Sequence, residues 1–233
     1  MLALDNITIK AGSFTLAANF TLNAGSRTAI IGPSGAGKST LLNAIAGFLP
    51  LVSGQIKWRD EEITRVPAGM RPLSILFQDH NLFPHLTVAE NIGLGISSGL
   101  RLSQNDRTRI EQALAQTGLS GLGGRKPDAL SGGQQSRVAL ARALLRARPI
   151  LLLDEPFAAL GPALKSEMLA LVESISDAQG LTVLMVSHDP QDALRLCAQT
   201  VLVAQGQANP PAPTAMLLSN PPPALRAYLG DPN

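Results

Sequence analysis

Short, continuous apolar runs alternate with segments of helical periodicity along much of this chain. The apolar runs predict β-strands at residues 2–9, 27–31, 55–58, 73–77, 150–153 and 181–186. Periodic segments that follow two of these runs predict helices at residues 38–47 and 163–178. Apolar strands separated by helices are typical of a parallel sheet that is covered on both faces. We therefore expect an α/β protein with a parallel-sheet core.

The middle of the chain has a different pattern. Its periodicity is helical, with helices predicted at about 87–96, 105–117 and 132–147 and Gly-rich joints at 118–124. After residue 205 the chain becomes rich in proline, which leaves room only for short helices near 213–219 and 224–229. We interpret residues 1–233 as a single domain, with a core at 1–78 and 149–205, an inserted helical lobe at about 79–148 and a short tail at 206–233.

Composition narrows the classes of function. A hydrophobic content of 45% is enough for a sizeable core, and the net charge is only +2. Aromatic residues make up 3%, which argues against nucleic acid as a partner, because single-strand binding depends on aromatic stacking. The only cysteine, Cys197, excludes a disulfide within the chain. No apolar run approaches the roughly 18 residues that a membrane-spanning helix requires, so we expect any membrane association to depend on a partner or on the surface.

A glycine-rich loop after the second predicted strand carries the first chemical signal. Its sequence GPSGAGKS, residues 32–39, matches the phosphate-binding pattern G-x-x-x-x-G-K-[ST] and opens a predicted helix. Glycines let backbone N–H groups converge on phosphate oxygens, and the helix N-terminus adds positive potential. We expect Lys38 to bridge the terminal phosphates of ATP and Ser39 to ligate Mg²⁺. The predicted nucleotide-binding residues are Gly32, Pro33, Ser34, Gly35, Ala36, Gly37, Lys38, Ser39 and Thr40.

Two carboxylates end the apolar run at 150–153. Asp154 and Glu155 follow this predicted strand directly. In a parallel sheet, ligands lie beyond the carboxyl ends of the strands. We therefore expect Asp154 to hold Mg²⁺, directly or through water, and Glu155 to orient and deprotonate the attacking water.

A second glycine motif, LSGGQ at residues 130–134, precedes a helix that carries several arginines. Ser131 is placed to cap this helix, and the N–H groups behind it form a second anion site. Taken alone, the motif favours an ordinary cap followed by a solvated basic face at Arg137, Arg142, Arg146 and Arg148. The alternative is that this segment completes the phosphate site of another copy of the chain.

The order of these motifs resembles the ATP-binding-cassette (ABC) ATPases over about residues 1–205. LSGGQ continues as QSRVALARAL at 135–144, Gln78 follows the strand ILF, and His188 follows MVS. The resemblance implies a P-loop NTPase fold of the ABC type, with an N-terminal antiparallel β portion and a helical lobe inserted in the core. It also implies that two chains sandwich two ATP molecules, each phosphate loop facing the other chain's Ser131, Gly133 and Gln134. Gln78 would sense Mg²⁺ and the attacking water, and His188 would contact the γ-phosphate, although each taken singly fits a surface or capping role.

Within that family, the chain is most similar to ATP-binding subunits of bacterial thiamine importers. The segments that carry this similarity are 32–47, 76–95 and 154–160, and importers of polyamines, iron and molybdate share much of them. The resemblance implies a peripheral subunit at the cytoplasmic face of the inner membrane, which drives a separate integral membrane permease and works indirectly with an extracytoplasmic solute-binding protein. Leu82, Phe83 and His85 are the candidate permease contacts. The rival class is a nucleic-acid-linked ABC ATPase, but this chain lacks the long coiled-coil insertion or second cassette usual there.

Two positions depart from the family pattern. An aromatic residue that stacks on adenine usually lies near 9–11, where this chain has Ile9, Lys10 and Ala11. Phe14 either replaces it or belongs to the core, and the sequence favours neither. The segment after the catalytic acid usually ends in Asp, whereas here it reads AALG and ends at Gly161. This replacement puts communication between the two sites in question, but not ATP binding.

Overall fold

The computed structural model describes residues 1–229, and one mixed sheet of eleven strands organises it. The strands are β1 Leu2–Ala11, β2 Phe14–Leu22, β3 Arg27–Ile31, β4 Leu51–Trp58, β5 Glu61–Glu62, β6 Leu73–Leu76, β7 Ile150–Asp154, β8 Thr182–Val186, β9 Gln199–Ala204, β10 Gln207–Ala208 and β11 Ala212–Pro213. The α-helices are α1 Lys38–Ala46, α2 Val88–Gly93, α3 Gln104–Gln116, α4 Gly132–Leu145, α5 Pro162–Gln179, α6 Pro190–Leu196, α7 Thr214–Ser219 and α8 Pro223–Leu229. Within residues 1–229, none of these helices combines the length and apolarity that crossing a bilayer needs.

The parallel core consists of five neighbouring strands in the order β9-β3-β8-β7-β6. Alternate residues of β7 enter two different apolar clusters: Leu152 belongs to the cluster that contains α1, and Leu153 to the cluster that contains α5. Because both faces are covered, β3, β6, β7 and β8 coincide with apolar runs from which the sequence predicted strands, whereas β9 was not predicted. Their carboxyl ends share one edge of the sheet, where the phosphate loop begins.

The antiparallel part is built from β1, β2 and β4. Leu2 lies opposite Leu22 of β2 and opposite Trp58 of β4. Strand β2 was absent from the elements predicted by the apolar runs, because its polar and apolar residues alternate. Leu16, Ala18, Phe20 and Leu22 are buried while their neighbours are not, and this period of two could have identified it. The antiparallel β portion implied by the family resemblance is therefore present.

The helical lobe has an apolar cluster of its own. Helices α2, α3 and α4 contribute Val88, Ile92, Leu114 and Val138 to it. Helices α2 and α4 are shorter than predicted, since α2 ends at Gly93 rather than near 96 and α4 ends at Leu145 rather than at 147, whereas α3 has the predicted length and begins one residue earlier. Ser103 begins α3 with a reciprocal capping box, in which Asp106 bonds back to the Ser103 N–H. Strong local caps explain why the starts of these helices are readable from sequence.

The proline-rich tail folds onto the core. Strand β10 pairs with both β9 and β2 and so joins the parallel and antiparallel parts of the sheet. Helices α7 and α8 match the predicted short helices, and Leu225 of α8 is fully buried in the cluster beneath α5. The last four residues of the predicted tail, 230–233, lie outside the described residues. Strands β9, β10 and β11 were not predicted. Because β10 and β11 pair with strands of the sheet and Leu225 is buried, the tail is an integral part of the packing.

Candidate nucleotide site

The phosphate loop connects β3 to α1, and its backbone conformation requires glycine. Gly32 lies so close to β9 that a Cβ there would be 2.0 Å from the carbonyl oxygen of Val203. Gly37 has φ of 103° and begins α1 without any side-chain cap. The first N–H groups of α1 are therefore available for an anion, as the motif requires.

Lys38 crosses back over this loop and is almost completely buried. Its Nζ donates to the carbonyl oxygens of Gly32 at 2.8 Å and Pro33 at 3.0 Å. Burial lowers the pKa of Lys38, while Glu155 and Asp154 act in the opposite direction. The ammonium group therefore lies beside the loop backbone, held by acceptors that phosphate oxygens can replace.

Ser39 and Asp154 supply two hard oxygen donors at the same place. The Ser39 hydroxyl donates to Asp154 Oδ1 at 3.1 Å. Burial raises the pKa of the Asp154 carboxyl, and the Ser39 hydrogen bond opposes that shift. Within residues 1–229, no cluster of three or more His, Cys, Asp or Glu could hold a metal by itself. The oxygens present fit Mg²⁺ only if phosphate oxygens and water complete its coordination, which is how Mg²⁺ commonly binds with a nucleotide.

Glu155 and His188 lie at the ends of the neighbouring strands β7 and β8. Glu155 adopts a left-handed backbone conformation, with φ of 48°, and its N–H donates to the Val186 carbonyl at 3.1 Å. His188 Nδ1 is 3.3 Å from Glu155 Oε2. Left-handed non-glycine residues are uncommon and concentrate at functional sites. The structure thus brings the predicted acid and the predicted histidine together.

Gln78 follows β6 and is exposed, with no side-chain hydrogen bond inside the described part of the chain. The loop that continues from it is attached to α4. Arg142 donates to the carbonyl oxygens of His80 at 2.6 Å and Asn81 at 2.8 Å, and His80 Nε2 is 2.9 Å from Ser136 Oγ. These contacts were not predicted from the sequence, because the partners are about sixty residues apart and no local pattern links them.

Phe14 lies against the phosphate loop. A Cβ added to Gly37 would be 2.7 Å from a ring carbon of Phe14. The ring also packs against the core cluster, and it remains partly exposed. Ile9, in contrast, is fully buried. Phe14 is therefore the aromatic residue beside the phosphate loop. Its position is compatible with stacking on adenine and with a role in the core.

The LSGGQ segment forms the start of α4 and is a real helix cap. Ser131 Oγ accepts from the Gln134 N–H at 3.3 Å, and Gln134 Oε1 accepts from the Ser131 N–H at 3.0 Å. Gly133 is buried against Leu164 of α5. In the described residues, Ser131 and Gln134 make no hydrogen bond to residues 32–40. The second glycine motif and the phosphate loop of one chain therefore do not form one joined site.

The basic face expected behind this cap is only partly solvated. Arg137 donates to the Thr117 carbonyl and pairs with Glu167 at 3.1 Å, and Arg142 holds the loop after Gln78. Arg146 donates to the carbonyl of Gly69. The interpretation of these arginines as a free solvated face is therefore wrong for Arg137 and Arg142, because backbone carbonyls of neighbouring segments take up their donors, whereas Arg146 is exposed.

Comparison with known proteins agrees with this geometry. The ABC transporter family model matches residues 16–158. The Thiamine import ATP-binding protein ThiQ of Cereibacter sphaeroides is 64% identical, over 99% of this chain and all of the relative. The protein of the same name from Escherichia coli is 50% identical over 94% of each chain.

Solved structures give the same result for the fold. The dimeric structure of MJ0796, a bacterial ABC transporter cassette, superposes with a TM-score of 0.79 at 30% identity, covering 92% of this chain and 99% of the other. A structure of the same cassette bound to ADP and Pi superposes with a TM-score of 0.78. The predicted P-loop NTPase fold of the ABC type is confirmed. Because the family model covers more than half of the chain and the relatives match nearly its whole length, this chain belongs to the ABC transporter family.

Proposed function

We propose that this chain is the ATP-hydrolysing subunit of a bacterial importer. The observation that carries the proposal is the convergence of five predicted groups at one sheet edge. Lys38 is folded over the phosphate loop, Ser39 touches Asp154, and Glu155 meets His188. Each group comes from the end of a parallel strand or from the loop and helix directly after one, which is where α/β sheets bind ligands.

The roles follow from chemistry. Residues 32–40 bind the phosphates of ATP, and Lys38 neutralises charge on the terminal phosphates. Ser39, Asp154 and Gln78 hold Mg²⁺, which neutralises charge on the phosphate oxygens when bound. Glu155 accepts a proton as water attacks the γ-phosphorus, and the bond from that phosphorus to the bridging oxygen breaks, releasing ADP and phosphate. His188 contacts the γ-phosphate, and its 3.3 Å approach to Glu155 supports that placement.

The proposed cargo is thiamine or its phosphates. The support is the name Thiamine import ATP-binding protein, which is shared by relatives that are 64% and 50% identical across almost the entire chain. Importers of polyamines, iron or molybdate remain the alternative cargo classes, because the motif segments do not separate them. A nucleic-acid-linked role has no supporting feature in the composition.

The proposed partners are a second copy of this chain and an integral membrane permease. The dimeric state of the MJ0796 cassette supports the first. Exposed apolar residues support the second: Phe48, Met70 and Phe83 are 55%, 71% and 46% exposed, and Phe48 lies 6.0 Å from the ring of Phe77. Of the predicted contacts, Phe83 and His85 are exposed, whereas Leu82 packs between two apolar clusters. The permease would hold the chain at the cytoplasmic face of the inner membrane and connect it indirectly to a solute-binding protein outside.

The test of hydrolysis is Glu155→Gln, which keeps the shape of the side chain and removes the base. We expect ATP to bind with unchanged affinity while turnover falls about 10²- to 10⁴-fold, the usual contribution of a general base. Phosphate release and equilibrium binding of radiolabelled ATP measure the two effects. Glu111→Gln, on the exposed surface of α3, is the matched control. Turnover near that of the unmodified chain would mean that the base lies elsewhere.

The cargo is tested in cells that lack this chain. Uptake of labelled thiamine at low external concentration should be lost and should return when the chain is supplied on a plasmid. The Glu155→Gln variant, supplied in the same way, should not restore uptake, because transport requires hydrolysis. Normal thiamine uptake together with loss of putrescine, iron or molybdate uptake would keep the motor and discard the cargo.

A further inference from the structure

The C-terminal helix reaches the catalytic edge of the sheet. Helix α8 inserts Leu225 into the apolar cluster beneath α5, where its side chain is fully buried, and Ala224 and Tyr228 pack at the margin of the same cluster. Met185 of β8 belongs to that cluster as well. The helix thus lies against β9 and shares an apolar cluster with β8, the strand that ends just before His188.

Tyr228 makes one specific contact with the catalytic segment. Its hydroxyl donates to the backbone carbonyl of His188 at 2.6 Å. Burial raises the pKa of Tyr228, and the nearby carboxylates of Glu155 and Asp189 act in the same direction. Tyr228 is therefore protonated and able to donate at neutral pH, and it lies close to the group that accepts the proton from water.

The segment that carries His188 is held from a second side by α5. Lys165 pairs with Asp189 at 2.8 Å and with Asp192 at 3.3 Å, and Ser187 Oγ donates to Asp192 at 2.8 Å. These bonds hold the residues on both sides of His188 but leave its own carbonyl unpaired. In the described residues, Tyr228 is the side chain that donates to that carbonyl.

We propose that Tyr228 is a positioning residue for ATP hydrolysis. It fixes the backbone of His188 so that the imidazole is directed toward Glu155 and the γ-phosphate, without touching nucleotide itself. The proline-rich tail then has a function: it returns the chain to the catalytic edge and closes the side of the His188 segment that α5 leaves open. This inference rests on the proposed ATPase function.

The first experiment is Tyr228→Phe in the full-length chain, which removes only the hydroxyl. We expect kcat for ATP hydrolysis to fall about three- to tenfold, the effect of losing one hydrogen bond, while KM for ATP stays within about twofold. Arg226→Gln is the matched control, because Arg226 lies on the same helix and its side chain, within residues 1–229, hydrogen-bonds only to the Pro221 carbonyl. Thermal unfolding of both variants should remain close to that of the unmodified chain, which separates positioning from folding.

The second experiment asks whether Tyr228 acts through His188. In a His188→Ala background, Tyr228→Phe should lower the single-turnover rate by less than about twofold, because the imidazole that it positions is absent. An equal fractional loss in both backgrounds would overturn the inference, as would an unchanged kcat for Tyr228→Phe alone. If the unmodified chain does not hydrolyse ATP, the proposed function fails instead, so the two failures are distinguishable.

Discussion

Individual residues of the phosphate loop are limited by space and by charge. Gly32 cannot accept a Cβ because the carbonyl of Val203 occupies that space. Lys38 is buried with its ammonium on two backbone carbonyls, and burial lowers its pKa. Hydrogen bonds between charged groups are strong. The buried Lys38 ammonium is therefore suited to bind the phosphates of a nucleotide, whose oxygens can replace the two carbonyl acceptors.

Lys38→Ala should weaken ATP binding about 10- to 100-fold, which corresponds to the loss of one hydrogen bond between charged groups. Hydrolysis should fall further, since charge on the terminal phosphate would no longer be neutralised. Equilibrium dialysis with radiolabelled ATP measures the affinity. Lys126→Ala, at an exposed position in the helical lobe, is the control and should bind normally. Normal ATP affinity of the Lys38→Ala chain would contradict the assignment of the loop.

The helices differ in how their first turns are satisfied. Thr87, Ser103 and Ser131 cap α2, α3 and α4 with reciprocal capping boxes. Helix α5 begins at Gly161, which has no side-chain bond to the first turn, although Pro162 provides a favourable first residue. The family usually has Asp at this position, so the replacement removes a helix cap in addition to any role between the two sites.

Gly161→Asp should stabilise the chain by about 0.3–1 kcal/mol, because Asp caps better than Gly and its charge is favourable at a helix N-terminus. The added Cβ meets no neighbouring atom within 4 Å. Urea unfolding should show a higher midpoint with an unchanged slope. Gly161→Ala is the control and should lower the midpoint, since alanine, like glycine, has no side-chain acceptor for the first turn and is less favourable than glycine at an N-cap position. A lower midpoint for Gly161→Asp would mean that the carboxylate does not cap α5.

At the scale of the whole molecule, the two glycine motifs of one chain belong to different parts. The phosphate loop lies at the edge of the parallel core, whereas Ser131 begins a helix of the lobe and bonds Gln134. The loop after Gln78 ties the core to that lobe through Arg142. A composite site formed by two chains would use both motifs, as the resemblance implies.

Mixed dimers test the composite site. In a Glu155→Gln background that retains ATP, one chain carries Lys38→Ala and another Ser131→Arg. Each homodimer should retain no ATP, because both of its sites are defective. In a mixed dimer, one site receives both lesions and the other receives none, because a two-fold interface uses the same surfaces of both chains. We therefore expect each mixed dimer to retain about one radiolabelled ATP.

Two outcomes would contradict the composite site. One is normal ATP retention by the Ser131→Arg homodimer. The other is no recovery in mixed dimers whose formation has been shown with two different affinity tags. In either case, LSGGQ would be only the cap that the structure shows at the start of α4.

The sequence by itself determined the features that depend on neighbouring residues. The apolar runs of β3, β6, β7 and β8 predict the parallel core, because strands covered on both faces contain few polar residues. The phosphate loop is one contiguous segment, and the acidic pair is another. Each directly follows a strand that was predicted. Residue order therefore places Lys38, Ser39, Asp154 and Glu155 at one edge before any tertiary contact is known.

The tertiary structure decided what depends on residues remote in sequence. Arg142 reaches a loop about sixty residues earlier, and Tyr228 reaches back 40 residues to His188. Strand β10 was not predicted because it is only two residues long and pairs with β2 and β9. Such contacts arise from the packing of whole elements, and no local pattern of hydrophobicity or charge encodes them. For the same reason, the sequence could identify the chemical groups of the site, whereas only the fold shows which other residues hold them in place.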